Sequence, residues 1–349
     1  MKHVFGYRFL KENGIDPSLF SLSGVIADLR ARSSEKKKEH PKLFAKLETL
    51  AVVESVEGSN AIEGIYTTAE RMKAIVEDGA EPLTHSEKEI AGYHDAAVYV
   101  KEHFEELDFN ENTVRMLHRL LTGRLPNARG GEYKKADNII AETNAKGAVV
   151  RVLFSPTPAS ETEEAMKNLF LAYQVARDDY DIAPLLLIPC LIVDFLSIHP
   201  FADGNGRVSR LLMLLLLYKN GFDIGRFISF EGMINQYKEN YYESLYSAQK
   251  QWHENENDYR PFITFTFQIL YQCYKEMNRR LLYAGKKQKA IARIEAVIST
   301  SFVPLSKEEI ASLLPDLSLS SIELQLRNLL EAEKIKKIGT YRNARYLKK

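Results

Sequence analysis

Two apolar runs, Leu185 to Ile198 and Leu211 to Tyr218, flank the polar stretch Ser197-Ile198-His199-Pro200-Phe201-Ala202-Asp203-Gly204-Asn205-Gly206-Arg207-Val208-Ser209-Arg210. Pro200 disfavours a helical conformation at His199, so the first run must stop there. The second run begins just after Arg207, and the polar residues therefore fall in a loop that closes onto a helix N-terminus. Gly204 and Gly206 let the backbone approach a ligand closely, with Asn205 held between them. The following helix contributes its positive dipole end and unpaired N–H donors, which together make an anion site. Arg207 and Arg210 are three apart, on one face of the first turn, and suit phosphate oxygens. Asp203 is a hard oxygen ligand suited to Mg²⁺, and His199 can take up a proton near neutral pH. A capped helix with a surface ion pair and a chance histidine would account for any one of these residues. Their combination within twelve residues points to phosphoryl transfer.

The same stretch matches the pattern His-x-Phe-x-Asp/Glu-Gly-Asn-Gly-Arg-x-x-Arg at every position, and in this the chain resembles the Fic-domain proteins. The resemblance is to the branch that transfers AMP from ATP to a hydroxyl side chain of a target protein, since the phosphotransfer branch carries Lys where Gly206 stands. It implies His199 as general base, Asp203 as the Mg²⁺ ligand, and Gly204, Asn205, Gly206, Arg207 and Arg210 as nucleotide-binding residues. The segment Ser59-Asn60-Ala61-Ile62-Glu63-Gly64 reads by itself as a helix C-terminus with a glycine cap. It also resembles the Fic inhibitory motif, Ser/Thr-x-x-x-Glu-Gly/Asn, and that resemblance implies that Glu63, with Ser59 in the same motif, pairs with Arg210 and blocks seating of the ATP γ-phosphate.

At 349 residues the chain is long enough for two or three domains with a sizeable core. Its 47 basic and 47 acidic residues balance, so the chain as a whole has no pull toward nucleic acid or membrane. Cys190 and Cys273 each lie in apolar surroundings and read as inert buried thiols. The N-terminus lacks a signal-peptide core, and the longest apolar tract, Ala183 to Ile198, is too short to span a bilayer. A cytoplasmic location is the expectation.

The periodicity predicts helices from Pro17 through Leu29 and from Leu43 to Val56, with Glu35 to Glu39 as a solvated turn between them. Further helices are expected over Ser86–Phe104, over Asn112–Leu121 with Asn112 as the cap, and over Ser160–Tyr173. His118 falls in the apolar stripe of the Asn112 helix and reads as structural. Two β-like runs, Asn138 to Ala141 and Ala148 to Phe154, are joined by turn chemistry at Asn144-Ala145-Lys146-Gly147 and predict a hairpin. The resemblance places the target-docking flap there, at about 138–155, pairing main chain to main chain with the modified protein; an ordinary surface hairpin is the alternative. Phe230 onward leads into a helix with Tyr241, Tyr242 and Leu245. Those aromatics read as core or, through the resemblance, as the wall of the nucleotide pocket, where Gln249 stands in place of the usual Asn. Pro261 to Leu282 closes the bundle.

Composition shifts at Gly285. Residues 286–349 hold thirteen Lys/Arg against seven Asp/Glu, with helices over Ile291–Thr300, Lys307–Leu314 and Ser320–Glu333. A strand–turn–strand follows from Ile335 to Leu347. That order resembles a winged helix-turn-helix, for which protein docking and DNA binding are both open; Gln325, Arg327 and Asn328 could reach bases but share their helix with Glu323, Glu331 and Glu333. The expected fold is therefore all-α: a Fic helical bundle with a β-hairpin flap and a small C-terminal winged helix-turn-helix. The expected divisions are 1–85 with the inhibitory motif at 59–64, 86–285 as the catalytic core, and 286–349. The expected activity is a protein adenylyltransferase acting on Ser, Thr or Tyr and on itself, with ATP as substrate and Mg²⁺ as cofactor. Expected partners are a target protein, a second copy of the chain and, less directly, DNA; a membrane is not expected. The competing reading is a DNA-binding regulator whose core only senses nucleotide.

Overall fold

The computed structural model describes residues 3–12, 16–126, 128–143, 149–283, 289–301, 303–340 and 344–349. The chain enters through a short helix, α1 (Phe9–Glu12), and a long one, α2 (Pro17–Glu39). Asp16 caps α2 by accepting the Ser18 N–H at 2.7 Å, and Pro17 sets the first turn. The helix does not stop at Leu29, and the expected turn at Glu35–Glu39 is instead its last turn and a half. Residues 30–39 hold no Gly or Pro, and Lys36, Lys37 and Lys38 favour the negative end of the dipole. His40-Pro41 ends α2, and Pro41 starts α3 (Pro41–Ile62).

Two helices follow, α4 (Ala69–Val76) and α5 (His85–His103), capped by Thr68 and Thr84. The next, α6 (Glu111–Thr122), is capped by Asn110 and not by Asn112. Asn110 has extended backbone and its Oδ1 accepts the Thr113 N–H at 3.0 Å, which leaves Asn112 inside the first turn. Gly92 allows α5 and α6 to touch: a Cβ there would lie 2.0 Å from the Leu121 carbonyl. The antiparallel hairpin β1 (Ile140–Thr143) and β2 (Val149–Phe154) comes next, with Ile140 opposite Phe154 and Thr143 opposite Val149. Its expected turn residues lie outside the described residues. A 3-10 turn, Ala159–Glu161, leads into α7 (Thr162–Asp178).

At the centre stand α8 (Pro184–Ile198), whose side chains from Leu185 to Ile198 are all buried, and α9 (Asn205–Lys219), buried from Val208 to Tyr218. Around them pack α10 (Phe230–Gln236), α11 (Lys238–Gln249) and α12 (Arg260–Tyr283). The buried apolar residues from Tyr7 to Met277 form one cluster, so the N-terminal helices share a core with the central pair. One buried carboxylate fixes the N-terminal segment to it. Asp194 accepts hydrogen bonds from the Tyr7 hydroxyl (2.6 Å), the Tyr259 hydroxyl (2.7 Å) and the Trp252 indole N–H (2.8 Å), which supplies partners a dry carboxylate requires. Gly58 on α3 meets α10 without a side chain between them, since a Cβ there would lie 2.6 Å from the Gly232 nitrogen.

Beyond α12 a second apolar cluster, from Ile294 to Tyr346, is built from α13 (Ala290–Thr300), α14 (Lys307–Leu313), α15 (Leu319–Glu331) and an antiparallel pair, β3 (Ile335–Ile338) and β4 (Arg345–Lys348). Ser306 and Glu309 form a reciprocal capping box on α14.

Candidate active site

The α8–α9 loop owes its shape to its end residues. His199 ends α8 in the left-handed region (φ 53), where Pro200 makes a further helical residue unfavourable, and its N–H bonds back to the Phe195 carbonyl at 2.9 Å. Gly204 precedes α9 with φ 78, and a Cβ there would lie 2.9 Å from the Leu121 side chain, so glycine is required on both conformational and steric grounds. Asn205 staples the loop shut: its Oδ1 accepts the Phe201 N–H (2.9 Å) and its Nδ2 donates to the Phe201 carbonyl (2.8 Å). Phe201 stacks on His118 of α6 with ring centroids 3.8 Å apart. His118 accepts the Gly131 N–H at Nδ1 (2.8 Å) and donates from Nε2 to the Asp203 carbonyl (3.2 Å). Burial pushes its pKa down to about 4, so it holds the loop as a neutral ring.

His199 is directed by its other neighbours. Its Nδ1 lies 3.2 Å from the Leu196 carbonyl, which can only accept, so that nitrogen carries the proton and Nε2 is left with a lone pair. Burial, opposed by that carbonyl and reinforced by Lys134, lowers its pKa to about 4. At neutral pH the imidazole is a free base.

Around this ring lies a cavity of about 810 Å³ lined by His199, by Ala202 through Arg207 and Arg210, by Glu63 and Glu89, and by Tyr241, Tyr242 and Gln249. Its volume is that of a cofactor-sized pocket. Glu63 sits at the end of α3, followed by Gly64 with φ 77, so the glycine-capped helix terminus is present. From there its carboxylate reaches Arg210, with Oε1 2.8 Å from Nη2. Ser59 takes the rest of that guanidinium: its Oγ accepts Nε at 2.8 Å and its carbonyl accepts Nη2 at 3.0 Å. A Cβ on Gly206 would meet Glu63 Oε1 at 2.3 Å, so the carboxylate lies directly over the first turn of α9. An anion from the same chain thus rests where the helix N-terminus is most electropositive.

Arg207 points elsewhere than Arg210. Its Nη2 is 2.9 Å from Glu89 Oε1 on α5 and 3.8 Å from Asp203 Oδ2, and its buried Nε has no hydrogen-bond partner among the described residues. Asp203 is largely exposed at the cavity rim, and its Oδ1 accepts the N–H of Gly204. Tyr241 is buried, while Tyr242 is 42% exposed and donates to the Ile62 carbonyl at 3.2 Å. Lys238 likewise donates to the Ala61 carbonyl at 3.2 Å, so α11 caps the end of α3. Gln249 donates from Nε2 to Ser197 Oγ at 3.1 Å.

Glu89, Lys134 and Lys238 are the functional neighbours that sequence reasoning overlooks. Nothing local gives Lys134 or Lys238 a role beyond surface charge; Glu89 opens the segment Glu89-Ile90-Ala91-Gly92-Tyr93, which resembles the start of a Fic core, and Arg207, immediately after the glycine loop, needs a carboxylate when buried.

Residues 108–217 match the Fic/DOC family. The chain is 30% identical over 218 residues to the protein adenylyltransferase Fic of Nematostella vectensis, covering 59% of this chain and 44% of that one. Against the protein adenylyltransferase Fic of Aedes aegypti it is 26% identical over 222 residues, covering 62% and 39%. The chain therefore spans well under half the length of these relatives. Its fold resembles that of a Fic family protein from Desulfovibrio desulfuricans G20, with a TM-score of 0.61 and 23% identity over 96% of this chain and 97% of that one. The matched segment carries the α8–α9 loop, and there the chain is similar to the Fic/DOC family. Among the described residues no helix is long and apolar enough to cross a membrane.

Proposed function

We propose that the chain is a protein adenylyltransferase that moves AMP from ATP to a Ser, Thr or Tyr hydroxyl of a target protein and of itself. The observation that carries this reading is the Glu63 carboxylate lying over Gly206 against Arg210: the α9 N-terminus already holds an anion, in a cavity that a neutral histidine also lines. The names of the relatives support the same chemistry. His199 Nε2 takes the proton of the target hydroxyl as its oxygen attacks the α-phosphorus. The new O–P bond forms, the bond to the β-phosphate oxygen breaks, and pyrophosphate leaves. Backbone N–H groups at Asn205 and Gly206, in the first turn of α9, stabilise charge growing on the phosphoryl oxygens, while the Gly204 N–H is held by Asp203. Arg210, once released by Glu63, faces the terminal phosphates, and Tyr241 and Tyr242 flank the nucleotide.

Mg²⁺ fits Asp203. The carboxylate is 85% exposed at the cavity rim, and a cation there would complete its shell with phosphate oxygens and water. No cluster of three or more His, Cys, Asp or Glu among the described residues could hold a metal without them. When bound, the ion would neutralise phosphate charge. We assign 138–155 to target docking, supported by the exposure of Val149, Val150 and Val152 on β2. The divisions 1–85, 86–285 and 286–349 are functional ones; the two apolar clusters support only the last boundary. Residues 286–349 we read as a winged-helix docking unit, because Leu319 and Leu324 are exposed on α15 beside Glu323 and Glu331. The proposed setting is the cytoplasm, with self-association between copies.

The test is incubation with ATP labelled at the α- or the γ-phosphate. Protein-bound label from the α position alone supports the reading; label from γ, or none from the Glu63→Gly variant with a cell lysate, overturns it.

A further inference from the structure

The segment that leads into the flap is sewn to the catalytic loop through one side chain. Lys134 is buried. Its Nζ donates to the Ile198 carbonyl (3.0 Å) and to Asn138 Oδ1 (2.9 Å), while its own N–H donates to the Pro200 carbonyl (2.8 Å). Asn138 continues the seam by donating to the Phe201 carbonyl at 3.3 Å. Ile198 is the last residue of α8, and its carbonyl lacks a helical acceptor role because His199 turns left-handed. A cation at that end also suits the helix dipole. The far side of the hairpin is tied more simply, by the Thr157 N–H to the Ser197 carbonyl at 3.1 Å.

We infer that Lys134 is the positioning residue that fixes the flap, and any hydroxyl docked on it, relative to the His199 imidazole. The inference rests on the adenylyltransferase reading for its meaning, but not for all of its test. A proton transfer tolerates little misplacement, and both partners of this one are set by the same ammonium group. The groups facing His199 are Lys134 from the flap base, Glu63 from α3 and Asp203 from its own loop; burial lowers the imidazole pKa most, and Lys134 adds to that. The group facing Lys134 is Asp137, which raises its pKa against a larger lowering by burial, the balance falling at about 8. Lys134 is therefore charged at neutral pH and loses that charge just above it.

The experiment uses the full chain with Glu63→Gly, and compares it with the same chain carrying Lys134→Met or Lys134→Arg. Self-labelling from α-labelled ATP is followed between pH 5 and 9, beside ATP affinity and melting temperature. Lys134→Met should cut the labelling rate by about tenfold or more while leaving ATP affinity within about twofold. Lys134→Arg should restore most of the rate. It should also remove the decline above pH 8 expected of the Glu63→Gly chain, because guanidinium does not titrate there. A folded Lys134→Met chain that labels at the parent rate, or a Lys134→Arg chain with the parent's alkaline profile, overturns the inference. Should Lys134→Met fail to fold, Lys134→Gln carries the same expectation. If the Glu63→Gly chain incorporates no label, the transferase reading fails, and NMR titration of the His199 ring still decides this one. Its midpoint should move up by about half a pH unit or more in Lys134→Met; an unmoved midpoint overturns the inference.

Discussion

Replacing Glu63 with Gly removes one carboxylate and tests the most specific contact in the site. The Arg210 guanidinium is 3% exposed and the Glu63 side chain about a third exposed, with nitrogen and oxygen 2.8 Å apart. A hydrogen bond between charged partners contributes about 1.5–3 kcal/mol. Solvent at the carboxylate end screens it, so the lower figure applies, about 1.5 kcal/mol. That corresponds to a factor of about ten in the population able to seat a terminal phosphate. Ser59 keeps its two bonds to Arg210 when Glu63 is gone, so the guanidinium is freed on one edge without being released to swing. Glu63→Gly should therefore raise initial labelling from α-labelled ATP by about tenfold at subsaturating nucleotide. Glu63→Gln, which keeps the shape over Gly206 but not the charge, should fall between variant and parent. Arg210→Ala should be inactive with or without Glu63→Gly. Equal rates for parent and Glu63→Gly, measured on self-labelling and on lysate proteins, would refute the reasoning, and the helix end would then be a cap and nothing more.

Three further outcomes follow from the site. His199→Ala should lower transfer by about 10²–10⁴-fold with ATP affinity retained; in the Glu63→Gly chain the rate should fall as pH drops through about 4, where the imidazole gains its proton, and an acid limb at pH 6–7 would contradict that. Asp203→Ala should reduce Mg²⁺-dependent transfer more than it reduces binding of metal-free nucleotide, read from a Mg²⁺ titration against calorimetry. Residues 286–349 should bind no DNA duplex at low salt, because the exposed face of α15 mixes Leu319 and Leu324 with Glu323 and Glu331; retention that falls steeply with added salt would instead favour the DNA reading.

The site is most readable where its parts are contiguous. Between Ser197 and Arg210 two glycines, a proline and two apolar flanks leave the backbone few choices, and a helix–loop–helix with an electropositive start can be derived from them. Glu63 and Arg210 lie 147 positions apart, and no periodicity joins them; the resemblance of a six-residue segment does. Glu89 and Arg207 are 118 apart, and nothing in either segment names the other, so their pairing emerges only from the packing of α5 on α9. Helix limits fail for a local reason: Asn110 and Asn112 are both good caps, and the choice falls to the one whose backbone is extended. The length of α2 is misjudged because a charged run and a solvated helical turn have the same composition. Asp194 draws its partners from three distant tyrosine and tryptophan positions, which gives the sequence reader nothing to count.

The Gly58–Gly232 contact has a bearing on how quickly the site can change state. With backbone against backbone at that crossing, α3 cannot slide or tilt without parting from α10, and much of its length is buried in the common core. Glu63 lies just past the last residue of α3, where Gly64 turns the chain away, and only its side chain reaches Arg210. Withdrawal of the carboxylate therefore needs rotation about side-chain bonds alone, on the scale of picoseconds to nanoseconds, and not the microsecond-to-millisecond displacement of a helix. Restraint of the proposed kind adds no slow step before nucleotide binding: the onset of activity should follow ATP addition without a lag, and the degree of restraint should depend on nucleotide concentration rather than on waiting time.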